Sequence, residues 1–305
     1  MAVAPRLLPP EILDLRLLRA GALTALFEEE QRCWQQELHW DYRPSVELLR
    51  RHIDAHTLPG YAAVRQSEVI AYCFFVYEDQ KGLLGDLYVR AAHRAEPAAD
   101  GGGIATLLLE RALETLEQSP IVRRIEAQLI PFGLEPLEAV FDSRQYAVFP
   151  RLFMFRPLTP ARQPPPLEPV EAGLRPWEER DFDSMAELIV VAYREHMDSQ
   201  INDHYGSHAG ALRFLQNIVV FPGCGVFQGS WSLVAPIGNR LAGAVLASEV
   251  APGVAHITQI CVRPEMQGRG LGRRLLEASM ERAATHGCRG VSRSEERRVG
   301  KECRL

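Results

Sequence analysis

Apolar residues recur along this chain at two periods, and the switches between them mark its elements. Met185, Leu188, Ile189, Ala192 and Tyr193 fall at i, i+3, i+4, i+7 and i+8, the stripe of an amphipathic helix that Asp181 can cap. A second helix is predicted over about 208 to 220, before Pro222. A short strand is predicted at 174–178, and longer ones at 230–235 and 241–250 around the turn Pro236-Ile237-Gly238-Asn239. A further strand is expected over 254–262, then a long helix from Gly270 to about His286. The first half repeats this order. Its helices are expected near 21–36, 45–56 and 103–117, and its strands near 61–66, 68–77 and 83–90, with strand-like residues again at 147–156.

The halves also match residue by residue. Gly85-Asp86-Leu87-Tyr88-Val89-Arg90 parallels Thr258-Gln259-Ile260-Cys261-Val262-Arg263, and each is followed by glycines and a Leu-Leu-Glu step. A repeat of this length signals duplicated domains rather than a solenoid. Seven of the 21 prolines lie between 157 and 176, so 158–172 is expected to be a stiff linker. The predicted organisation is a first domain over 1–157, the linker, and a second domain over 173–292. The expected class is α/β (α+β), with a mixed, mostly antiparallel sheet in each domain and helices on both of its faces.

Composition narrows the function by exclusion. The net charge of −5 gives no basic signature for nucleic acid or an anionic membrane, and no apolar run is long enough for a membrane span. Six scattered cysteines without a Cys-x-x-Cys pair argue against a zinc site and against a disulfide framework, so no metal is expected and a reducing cytoplasm is. The ending from Arg293 to Leu305 resembles translated sequencing-adapter read-through. On that reading residues 293–305 are foreign, and the second domain is incomplete and this chain weakly active or inactive.

The segment His256 to Arg273 carries the chemistry. It reads as a buried strand, a turn, a glycine-rich loop and a helix start. Gly268, Gly270 and Gly272 let a ligand approach backbone N–H groups at a helix N-terminus, where an anion such as a diphosphate is favoured. Arg269 and Arg273 add positive charge, and Leu271 begins the apolar face of the helix. The spacing fits neither the dinucleotide fingerprint nor the nucleotide-triphosphate loop.

Gln267-Gly268-Arg269-Gly270-Leu271-Gly272, after a strand closing Ile260-Cys261-Val262, resembles the signature Gln/Arg-x-x-Gly-x-Gly/Ala of the GNAT superfamily of acetyl-CoA-dependent N-acetyltransferases. The resemblance implies tandem GNAT-like domains and an acetyl-CoA co-substrate. It implies that Gln267 to Arg273 hold the pyrophosphate and that the backbone of Ile260, Cys261 and Val262 pairs with the pantetheine arm. It further implies transfer, by direct attack, to a primary amine of a small molecule or a protein. Glu249 and His256, at the facing ends of two strands, are the candidate bases. The first copy has Asp100 where Gln or Arg is expected, so it is read as degenerate and as a partner packing against the second domain. The competing reading is a non-catalytic scaffold that senses acyl-CoA or binds a partner.

Overall fold

A computed structural model describes residues 9–96, 102–134, 137–159, 173–220 and 224–296. The chain forms two compact units, one of Met1–Gln35 with Tyr42–Val148, the other of Gln36–Asp41 with Phe149–Leu305. Asp100 and most of the expected linker lie outside the described residues.

The first unit runs β1 (Glu11–Asp14), α1 (Thr24–Leu38, its last turn assigned to the other unit), α2 (Arg43–Asp54), β2 (Gly60–Arg65), β3 (Glu68–Glu78), β4 (Lys81–Val89), α3 (Ile104–Glu117), β5 (Arg124–Ala127) and α4 (Glu138–Ser143). Its sheet has the order β1-β2-β3-β4-β5, antiparallel except for the parallel pair β4/β5. Helix α3 forms because Ile104, Leu108, Leu109, Ala112, Leu113 and Leu116 share one stripe, and that stripe is buried on the sheet.

The second unit runs β6 (Arg151–Pro157), β7 (Arg175–Pro176), α5 (Phe182–Tyr193), α6 (Asp198–Ile201), α7 (His208–Val220), β8 (Val226–Phe227), β9 (Leu233–Ile237), β10 (Arg240–Ala251), β11 (Val254–Val262), α8 (Leu271–Thr285) and β12 (Gly290–Glu296). Its sheet has the order β6-β12-β11-β10-β9-β7, with β8 also on β10. Helix α8 covers one face through Leu271, Leu275 and Ala278, against Val245, Ala247 and Ile257. Helices α5 and α7 cover the other through Leu188, Ile189 and Leu215, against Ala244, Leu246 and Cys261. Leu275 is fully buried, and truncation to Ala costs about 3 kcal/mol.

Three elements differ from the sequence expectation. Asp181 sits at the N-cap position of α5 but its side chain does not cap that helix; its carboxylate takes the Glu178 N–H at 2.9 Å and pairs with Arg175 at 2.6 Å. Residues 151–157, expected to close the first domain, pair antiparallel with β12 along its whole length and so belong to the second sheet. Alternation alone makes a strand there without saying which sheet receives it. The expected tail from Arg293 begins inside β12, which continues through Glu296; residues 297–305 lie outside the described ones.

Candidate functional site

The site is built on a split between two parallel strands. Val254, Ala255 and His256 of β11 pair with Gly290, Val291 and Ser292 of β12, and pairing ends there. Beyond that rung β12 stays paired with β6 and β11 stays paired with β10, so an open edge of β11 faces the gap. A bulge at Thr258, between the rungs Leu246–Gln259 and Ala247–Ile257, marks where β11 bends. The Arg263 N–H donates to Ala242 O at 2.9 Å. Antiparallel alternation then turns Cys261 toward β10, and turns the N–H and C=O of Ile260 and Val262 toward the split. Cys261 was expected to share in gripping a ligand arm; its backbone is spent on β10.

The split opens beside the glycine loop. Arg274 N–H donates to Gly270 O at 3.1 Å, the first bond of α8, so the amides of Leu271, Gly272 and Arg273 have no acceptor within the helix. Gly270 provides no side-chain cap. Gly268 and Gly270 have φ of 74° and 79°, a region that side-chain-bearing residues enter at a cost, and a Cβ on either meets no atom within 4 Å. Residues 267–270 are exposed, and Leu271 behind them is buried. Arg273 is exposed and pairs with Glu277 at 2.7 Å. Gln267 Nε2 donates to Val262 O at 3.0 Å, tying the loop to the strand edge. Arg263 fixes the end of β11 from below: it is 4% exposed, donates to Leu241 O at 2.7 Å and pairs with Glu187 at 2.6 Å.

Residues 189–296 match the family model described as Acetyltransferase (GNAT) family. The second unit carries a GNAT-family domain. A GCN5-related N-acetyltransferase from Sphaerobacter thermophilus superposes on 97% of this chain and 90% of its own, at 17% identity and a TM-score of 0.63. A GCN5-related glucosamine N-acetyltransferase region of a fungal multi-domain GH3 beta-N-acetylglucosaminidase covers 95% of this chain and 36% of its own, at 14% identity and a TM-score of 0.57. At these identities the likeness is one of fold, and it extends over both units. No curated protein matches the chain in sequence.

The two candidate bases of the GNAT unit lie at the far end of β11 from the loop. Glu249 accepts the Gly253 N–H at 2.9 Å and so holds the β10–β11 turn, where Gly253 has φ 73°. His256 occupies the last rung before the split, six residues or roughly 20 Å of strand from Val262. Its Nδ1 lies 2.9 Å from Ser292 Oγ, and its ring packs on Trp40 and Phe153. Burial, with Arg293 nearby, pushes its pKa down to about 4, so it is neutral at pH 7.

Two further residues at the split carry no motif. Tyr193 closes α5, packs at a tilt against Tyr205 and donates its hydroxyl to Ile260 O at 3.3 Å; burial keeps that hydroxyl protonated. The helical stripe predicted only that Tyr193 is buried. Gln259 is 5% exposed and its Nε2 is buried without an acceptor, which is costly unless a ligand supplies one. The repeat, which sets Gln259 against Asp86, is the signal that could have drawn notice to it. Among the described residues no cluster of His, Cys, Asp and Glu is arranged to hold a metal, and no helix is long and apolar enough to cross a membrane.

Proposed function

We propose that the second unit binds acetyl-CoA in the split between β11 and β12 and transfers its acetyl group to a primary amine of a small molecule or a protein. The observation that carries this reading is the conjunction of an unpaired strand edge with a cluster of amides at the α8 N-terminus that have no acceptor within the helix. The fit is chemical: Leu271, Gly272 and Arg273 offer donors and a helix dipole to a diphosphate. The N–H groups of Ile260 and Val262 offer strand-like donors to an extended amide arm, beside carbonyls that already accept from Tyr193 and Gln267. Acetyl-CoA supplies an acyl group activated as a thioester.

The chain's own residues then do three things. The Ile260 N–H, held rigidly by β11, stands where charge develops on a carbonyl oxygen, a contribution of a few kcal/mol to the barrier. The Cys261 thiol, pushed up to about 12 by burial, is no acyl carrier, so the amine attacks directly. Of the two base candidates His256 borders the split, but a group titrating near 4 cannot hold the proton of an alkylammonium. The amine therefore enters neutral, and kcat/KM rises with pH through the acceptor's own ionisation, about 10.4 for a lysine-like amine.

Gly272→Asp tests the site. A Cβ there makes ordinary contact with Val262 at 3.5 Å, so the fold is retained while a carboxylate enters the amide cluster. Calorimetry should show acetyl-CoA binding in the parent and none in the variant; equal binding removes the loop from the site. Thiol release measured against a panel of amines separates transfer from sensing, and binding without turnover favours the scaffold reading.

A further inference from the structure

The first unit contains the same split in the same place. Its β4 and β5 pair in parallel from Lys81–Arg124 to Leu84–Ala127, Gly85 is the bulged residue, and β4 continues to Val89 without β5. The Arg90 N–H donates to Ile70 O at 2.9 Å, so alternation turns Leu87 and Val89 toward this split, as it turns Ile260 and Val262 in the second unit. The chemistry at those positions is different.

Asp86 stands where the second unit has Gln259. Its Oδ1 accepts the Leu87 N–H at 2.8 Å, the amide that corresponds to Ile260. Its Oδ2 accepts the Tyr42 hydroxyl at 2.7 Å, and Glu30, fully buried, accepts the Tyr72 hydroxyl at 3.0 Å in the same cluster. Two carboxyl groups therefore lie buried beside the one backbone donor that a thioester carbonyl needs. Arg94 closes the mouth: its Nε donates to Val89 O at 3.0 Å, while its guanidinium end lies 2.9 Å from where a Cβ of Gly133 would stand, in the segment after β5. Phe132 of that segment is buried and packs edge-on against Tyr88 and Trp34.

We propose that the first unit is a self-liganded copy: Asp86 takes the strand-edge N–H that the second unit leaves to its ligand, and Arg94 bridges the strand end to the segment after β5, so the chain takes one acyl-CoA. This inference rests on the proposed function for the identity of that ligand. The sealing itself does not depend on it.

The test has a ligand arm and a ligand-free arm. Calorimetric titration of the full chain with CoA should give one equivalent, with amide-exchange protection gained over 257–275 and unchanged over 81–96. Two equivalents, or protection gained at 87–94, overturns the proposal. If the parent takes up no CoA, the proposed function fails, and the ligand-free arm still decides the sealing. There the Leu87 amide should exchange slowly, at least about tenfold faster in Asp86→Ala, and slowly again in Asp86→Asn, which keeps an acceptor oxygen. Equal exchange in parent and Asp86→Ala overturns it. Should Asp86→Ala fail to fold, Arg94→Gln is read the same way at the segment 130–134: unchanged exchange there overturns the closure of the mouth, and faster exchange supports it.

Discussion

Leu87 and Ile260 occupy equivalent places on equivalent strands, two residues past matching bulges, yet one amide is held by its neighbour's carboxylate and the other faces an open gap. The backbones therefore do not distinguish the two units. What distinguishes them is which side chain stands before that amide: a glutamine whose Nε2 has no acceptor, or an aspartate whose oxygens are all engaged. A duplicated fold keeps its strand geometry because core packing demands it. A site can be lost from one copy by satisfying its polar groups internally, at no cost to that packing.

The sharpest way to break the comparison is to put a carboxylate into each helix N-terminus. Gly272→Asp should weaken CoA binding about a thousandfold or more, since like charge then meets the diphosphate where amide donors stood. A carboxylate at the first unit's helix start, Gly103→Asp, places a capping residue at an uncapped N-terminus in open space. It should leave CoA affinity unchanged, which calorimetry on both variants decides.

Acid and alkali should separate the units next. His256 titrates near 4 when folded and near 6.5 when unfolded, so the unfolded chain takes up its proton first as pH falls. The second unit should lose on the order of 3 kcal/mol between pH 6.5 and 4, and His256→Gln should flatten that slope. Glu30 and Asp86 shift the other way. Burial raises both, so their contribution is present at low pH and is lost as pH rises through their folded pKa values. Asp86→Asn should make the first unit less sensitive to rising pH, seen as higher amide protection around α1 and β4 once pH exceeds the ordinary carboxylate range. The smallest effect is the stabilisation of α3 by Gly103→Asp, at most about 0.5 kcal/mol, because Gly is itself a tolerable N-cap; thermal melts of the first unit report it.

Much of this was legible in the chain itself. The strand at 254–262 and the helix at 208–220 fall where periodicity placed them, because long periodic runs have one good way to bury their apolar side. The glycine loop and its helix start were readable from local backbone demands. Strand β5, by contrast, has four half-buried residues and no clear alternation, and β12 places charged residues where a core strand has apolar ones.

The sequence by itself determined the duplication, the long elements and the amide cluster after Val262, since each follows from contacts within a few residues. Only the tertiary structure decided that 151–157 join the second sheet, that Glu249 holds a turn, that His256 is buried and neutral, and that Asp86 stops its neighbour's amide. Those outcomes depend on partners tens of residues apart or on burial itself, and neither is written in local spacing.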